Sequence, residues 1–331
     1  TLHSLNEQDP RFRLVADRYW NARGGSHTDG GAFTFTVKRN NGRFELESTD
    51  KFGKPIKAPP GECALLTDDK KEPEKGAELM ERVEADLAEG LSRKSFQNVV
   101  SALSSWSLDN LKWTAAEITG MAAKNEQNLA SAVELLTLLN DRQYDCGEMR
   151  PAAVLQVVRG ALDRVLDSLP GISSDKEGAM KRIDWDTRAD LRKPAQNEST
   201  LVICARGFPA EGDDCDAMLA VRAFQMGWKK FIVYGLKGQR FAACGFGPST
   251  QGVSMDIYGS SGDYLASGVD GMEVHVHGSG QDQLCQIMKD GLVVVHGDVG
   301  QAFLYGGKGG EIYIRGNAAG RPLINAGGRP R

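Results

Sequence analysis

Gly259, Gly278, Gly297 and Gly316 follow one another at a constant spacing of 19 residues. A fixed period near 20 is the mark of a solenoid, in which each turn buries its apolar side only against the turns before and after it. Four strings align on these glycines: Ser254–Tyr258, Glu273–His277, Leu292–His296 and Glu311–Arg315. Met255, Val274, Val293 and Ile312 form one apolar column, and Ile257, Val276, Val295 and Ile314 form a second, two residues on. A side-chain period of two puts both columns on one face of a strand. Asp256, His275, Val294 and Tyr313 then face outward. Leu265, Leu284 and Phe303 make a third apolar column on another wall. A second set of glycines, Gly252, Gly271, Gly291 and Gly310, is spaced 19, 20 and 19, and the extra residue fits a bulge. The pattern predicts a right-handed parallel β-helix with 19-residue rungs. Glycine belongs at corners that need positive φ or a close approach of two rungs.

Upstream, the fold class reads as α+β. Residues 1–60 make a small β element: Phe33, Phe35 and Val37 alternate with threonines, Asn40-Asn41-Gly42 turns the chain, and Phe44 and Leu46 return. The glycines at 24, 25, 30 and 31 read as a loop, since no Lys-Ser/Thr and helix follow them. Residues 61–172 change to a helical period. Leu79, Met80, Val83 and Leu87 mark one helix, and Phe96, Val99, Val100, Leu103 and Trp106 a second that ends near Ser107-Leu108-Asp109. Leu129, Val133, Leu135, Leu136 and Leu139 mark a third, and Val154, Val158, Leu162, Val165 and Leu169 a fourth, with Pro151 at its first turn and Pro170-Gly171 stopping it. Residues 173–197 are charged and poor in apolar side chains, and read as a linker or an arm on a partner. Within 198–331, a short α/β unit leads into the β-helix: strand Thr200–Cys204, helix Asp213–Met226, strand Phe231–Tyr234. Its Arg206–Gly212 link lacks the glycine fingerprint of a dinucleotide site.

Composition excludes several classes. Of 331 residues 39 are glycine, and the formal charge of -4 argues against a nucleic-acid binder, which carries a basic face. No run of 18 apolar residues exists, so no membrane span is expected. Thr1–Pro10 lacks the basic-then-apolar layout of a signal peptide. Six scattered cysteines (63, 146, 204, 215, 244 and 285) show no CxxC spacing, and predict buried thiols in a reducing, cytoplasmic setting.

The repeat Gly271-Met-Glu-Val-His-Val-His-Gly278, Gly291-Leu-Val-Val-Val-His-Gly297 and Gly310-Glu-Ile-Tyr-Ile-Arg-Gly316, with Gly259-Ser-Ser-Gly-Asp-Tyr-Leu before it, resembles the GXGXG β-helix domain. That domain closes the large subunit of glutamate synthase and recurs as a separate chain of formylmethanofuran dehydrogenase. The resemblance covers residues 198–331. In that family the β-helix spaces catalytic domains and does no chemistry itself. The chain opens Thr1-Leu2-His3 without the family's cysteine nucleophile, and it shows neither a three-cysteine iron–sulfur run nor a barrel-sized FMN domain.

The resemblance thus implies a non-catalytic scaffolding or assembly subunit of a multi-subunit, cytoplasmic, glutamate-synthase-like oxidoreductase complex. Flavin and iron–sulfur clusters are expected on partner subunits, and no cofactor in this chain. Two alternatives stand beside it: an amidotransferase component related to glutamate synthase whose β-helix lines an ammonia path, and a free-standing binding module. The repeat stops at 320–331, so further rungs or another chain are expected to cover that end. No catalytic, cofactor or metal residue is assigned. Tyr258, His277, His296 and Arg315 form a column before the corner glycines, and stacked rungs about 4.8 Å apart make His277 and His296 neighbours. The two imidazoles could share a metal, but the column holds no third ligand, so a solvent- or interface-facing ladder is expected. Asp263, Asp282 and Asp298 are expected to cap turns. Gly306-Gly307-Lys308-Gly309-Gly310 lacks phosphate-loop spacing and reads as a flexible corner.

Overall fold

The computed structural model describes residues 33–40, 43–50, 54–55, 69–236, 238–328 and 330. The chain divides into two compact units, Thr1–Asp68 and Asp69–Arg331. In the first, β1 (Phe33–Asn40) pairs antiparallel with β2 (Arg43–Asp50), with Val37 opposite Leu46 and Asn40 opposite Arg43. That is the hairpin that the alternation predicts. Asn41-Gly42, the glycines at 24, 25, 30 and 31, and Cys63 lie outside the described residues.

The second unit begins with five helices: α1 (Gly76–Ala88), α2 (Ser92–Leu103), α3 (Leu108–Ala122), α4 (Glu126–Asp141) and α5 (Pro151–Asp167). Periodic apolar positions drive them, and Val83, Leu87, Val99, Leu103, Leu135 and Val165 have 0% exposure. α4 touches all four of the others and so organises the layer. The sequence pattern marks four helices and passes over α3. Its start is nevertheless written in the chain: the Ser107 hydroxyl accepts from Asn110 N (3.3 Å), and the Asn110 side chain accepts from Ser107 N (2.9 Å). Asn110 takes the place usually given to Glu or Gln in such a reciprocal cap.

Seven parallel strands follow in one sheet, in chain order: β3 (Met180–Ile183), β4 (Thr200–Cys204), β5 (Lys230–Tyr234), β6 (Ser254–Ile257), β7 (Asp270–Val276), β8 (Asp290–Val295) and β9 (Glu311–Ile314). The parallel β-helix is therefore present, and it is longer than the glycine repeat. The α/β unit is part of it, with β4 and β5 as earlier rungs. α6 (Asp216–Gln225), shorter than the expected 213–226, buries Leu219, Ala220 and Ala223 in the solenoid's own core. One inward column runs Leu201, Phe231, Met255, Val274, Val293, Ile312, and the other runs Ile183, Ile203, Val233, Ile257, Val276, Val295, Ile314, each step a register pair. The register shift between Asp270 and Glu273 supplies the expected bulge.

The segment 173–197 is not a linker. It carries β3, and several of its charges are paired within the fold. The Lys181 side chain, 3% exposed, reaches the carbonyls of Ser174 (3.0 Å) and Lys176 (2.6 Å) and lies 3.6 Å from Glu198, which Arg192 grips with two hydrogen bonds. Charge density alone hides this strand because the charges of Lys181 and Arg182 find partners in Glu198 and Asp184.

Two glycine columns have different causes. Gly252, Gly271, Gly291 and Gly310 have φ of 82°, 113°, 106° and 90°, a conformation that side chains rarely tolerate. At Gly278, Gly297 and Gly316 the cause is space: an added Cβ would lie 2.0, 2.6 and 2.4 Å from the carbonyl oxygen of the preceding rung's glycine. The wall bearing Leu265, Leu284 and Phe303 has another character. Every second residue there has positive φ, including Gln283 (60°), Cys285 (56°) and Ile287 (55°). Such a conformation costs an L-residue roughly 1–2 kcal/mol. Inter-rung bonds hold it, alternately to the next rung (Gln283 N to Gln301 O, 2.8 Å) and to the previous one (Cys285 N to Leu265 O, 2.8 Å). Asp263, Asp282 and Asp298 cap backbone as expected, but of the following rung, accepting from Asp282 N, Gln301 N and Asn317 N. Among the described residues no helix is long and apolar enough to cross a membrane. The five described cysteines, at 146, 204, 215, 244 and 285, are free thiols.

Candidate functional site

The outward face of the rungs meets the last turns of α4. Asn125 caps the start of that helix by accepting from Asn128 N. Leu135, Leu136 and Leu139 turn into the helical layer, which leaves Thr137, Asn140 and Asp141 to meet the sheet. Thr137 donates to Val133 O (2.7 Å), so the Tyr258 hydroxyl, 2.7 Å from Thr137 Oγ1, is the donor of that pair. Asn140 Nδ2 donates to His277 O (2.9 Å), while Arg159 Nε donates to Asn140 Oδ1 (2.7 Å) and fixes the amide.

Asp141 is the centre of the cluster. Its Oδ2 lies 2.8 Å from His277 Nδ1 and 3.4 Å from His296 Nδ1. On its other side His277 Nε2 faces Asp256 Oδ1 at 3.1 Å. Arg315 Nη1 donates to the Asp141 carbonyl (2.9 Å) and to His296 Nδ1 (3.2 Å). The rings form the ladder that rung stacking predicts: Tyr258 on His277 at 4.4 Å and 15°, then His277 on His296 at 5.2 Å and 23°. Side chains of Asp141 and His277 are 6% and 5% exposed, and that of His296 is 16% exposed. His275 stands outside the cluster on the same face, 2.7 Å from Glu273 Oε1.

Burial works against a charged His277, but hydrogen bonds to Asp141 and Asp256 outweigh it and push the ring up to about 9. With both nitrogens facing carboxylates, His277 is an imidazolium with two donors. Burial alone would raise Asp141, yet the bond to His277 and the neighbouring rings hold it below the usual carboxylate range. His296 goes the other way. Burial, joined by His277, Arg315 and His275 against the pull of Asp141, lowers it to about 4. It is therefore a neutral ring whose Nδ1 accepts from Arg315. Tyr258 is held far above its ordinary value, by burial first and then by Asp256.

Of the two settings left open for the column Tyr258, His277, His296 and Arg315, the structure shows a face packed on α4. The ligand that the column lacks comes from the helix: among the described residues, Asp141, His277 and His296 form a group whose donor atoms lie within 4.8 Å of one another. No local motif announces Asp141. Its partners stand 136 and 155 residues downstream (277 − 141 and 296 − 141), and only packing of α4 on the rungs unites them. Gly306–Gly310 keeps the character of a corner, with φ of 67° and 90° at its ends. Comparison with protein-family models, with curated proteins and with solved structures finds no match.

Proposed function

We propose that this chain is a non-catalytic scaffolding subunit of a multi-subunit, cytoplasmic, glutamate-synthase-like oxidoreductase, its right-handed β-helix serving as a platform that holds other elements in register. One observation carries the reading. The outward face of the solenoid is a docking surface in this very molecule, where Tyr258, His277 and Arg315 bind Thr137, Asn140 and Asp141 of a separate helical layer. A regular ladder of outward side chains on a rigid coil suits positioning better than turnover. The resemblance of the glycine repeat supplies the kind of complex. Flavin and iron–sulfur clusters would then reside on partner subunits, with no redox cofactor on this chain. The free cysteines are in keeping with a reducing compartment.

The amidotransferase alternative needs a path for ammonia. Val274, Val276, Val293, Val295, Leu265 and Leu284, all at 0% exposure, fill the coil's interior, so such a path would have to run along its outer walls. Native purification tests the proposal. Stoichiometric recovery with chains that carry flavin or iron–sulfur absorbance, and a colourless chain when expressed alone, is the expected result. Glutamine turnover or stoichiometric flavin in the isolated chain would overturn it.

A further inference from the structure

We propose that Asp141, His277 and His296 bind one divalent transition-metal ion of the zinc class, tying the end of α4 to two consecutive rungs. Four observations converge. First, the three donor atoms lie within 4.8 Å of one another, with Asp141 Oδ2 2.8 Å from His277 Nδ1 and 3.4 Å from His296 Nδ1. Tetrahedral zinc with bonds of about 2.0–2.1 Å sets its ligands about 3.3 Å apart, so the cluster has the right size. Second, two imidazoles and one carboxylate are a borderline donor set that suits zinc and its neighbours, while calcium and magnesium favour all-oxygen sites.

Third, His277 has the outer support that ligating histidines have. Its Nε2 faces Asp256 at 3.1 Å, which leaves Nδ1 to the metal and orients the ring. Fourth, the helix and the rungs that carry the donors are docked before any metal arrives. The Thr137–Tyr258 and Asn140–His277 bonds fix the last turn of α4, and the His277 and His296 rings, 5.2 Å apart and 23° from parallel, turn so that both nitrogen lone pairs meet the ion. The charges also suit a dication. Asp141 and Asp256 bring two carboxyl groups to the site, with the Arg315 guanidinium beside them. On binding, the proton on His277 Nδ1 leaves to solvent, and Arg315 releases His296 Nδ1 while its Nη1 keeps the Asp141 carbonyl. Three protein ligands leave a fourth position for water on the more exposed side, at His296.

The full-length chain, stripped with chelator, is titrated with Zn²⁺ by calorimetry and with Co²⁺ by visible absorption. One equivalent should bind, with the Co²⁺ bands of a low-symmetry nitrogen/oxygen site. Asp141→Ala and His296→Ala should each weaken binding by about 100-fold or more, and Asp256→Asn by about 10–100-fold as an outer-shell change. His275→Ala should leave it unchanged, and Arg315→Ala should tighten it. Arg315→Ala and His275→Ala keep all three ligands, so they still report if Asp141→Ala fails to fold. No saturable equivalent in the unmodified chain, or binding that survives His296→Ala unchanged, overturns the proposal. Neither result touches the scaffold reading, which co-purification decides.

Discussion

Replacing Val276 by aspartate tests the inward columns at a fully buried position. Val276 has 0% exposure and pairs in register with Ile257 on one side and Val295 on the other. Val276→Ala removes two buried methyl groups, worth about 0.8 kcal/mol each in transfer, and the cavity brings the loss to roughly 2–3 kcal/mol. Val276→Asp, close to valine in size, leaves little cavity, but it loses the same two methyl groups, about 1.6 kcal/mol, and adds a carboxyl group with no partner. Burial would keep the acid neutral, and holding its pKa about 3 units above the ordinary value costs about 4 kcal/mol at neutral pH. An unsatisfied polar group adds about 1–3 kcal/mol. The total, about 7–9 kcal/mol, matches the whole stability of a typical domain, about 5–15 kcal/mol. The neighbouring His275 is the control. It points outward, and its ring pairs with Glu273, two residues away, so His275→Ala should cost about 0.5 kcal/mol or less. Thermal melts followed by circular dichroism should rank His275→Ala, Val276→Ala and Val276→Asp in that order, the last unfolded at 25 °C. Equal shifts for His275→Ala and Val276→Ala would refute the assignment of inward and outward faces.

Gly297→Ala puts a Cβ 2.6 Å from the Gly278 carbonyl oxygen, and should lower stability by about 1–3 kcal/mol in urea unfolding through overpacking. Asp216, at the start of α6, is pushed up to about 6 by burial, and its Oδ1 has no hydrogen-bond partner. Its folded pKa is above the unfolded value, so it destabilises the fold above that pH and the penalty fades as pH falls. Asp216→Asn should therefore gain roughly 1–3 kcal/mol at pH 8 and almost nothing at pH 4, and an equal gain at both would contradict the burial argument. Glu198 is held down to about 2, first by the hydrogen bond from Arg192. Its contribution is complete above the ordinary glutamate value of about 4.3 and is lost as pH falls through the folded value. The advantage of the unmodified chain over Glu198→Gln should shrink across that window in acid-unfolding curves, and a constant gap would count against the Arg192 pairing.

The strands β6–β9 were legible because their connections are of nearly equal length, so that residues stacked in space recur at one spacing in the chain. The earlier rungs break that period. Leu201 and Phe231 are register partners with all of α6 between them, and Phe231 and Met255 are partners across a longer corner. β3 was hidden for a different reason, since Met180-Lys181-Arg182-Ile183 looks like a charged linker until Glu198 and two carbonyls are found around Lys181. Half of the candidate site could be read in the same way. The His277–His296 stack follows from the repeat, whereas Asp141 sits at the end of a helix, and nothing in its local sequence says which rung it will meet. Long-range docking of one layer on another leaves no periodic trace.

The central claim is that the outward column of the β-helix holds α4, and a double-mutant cycle on Thr137 and Tyr258 measures it directly. Their hydroxyls are 2.7 Å apart across 121 residues of chain, and they lie outside the proposed metal ligands. Thr137→Val and Tyr258→Phe, alone and together in the full-length chain, should give a coupling energy of about 0.5–1.5 kcal/mol in equilibrium unfolding. Strictly additive effects would mean that the two groups do not meet in solution, and that the helical layer does not dock on the rungs as described.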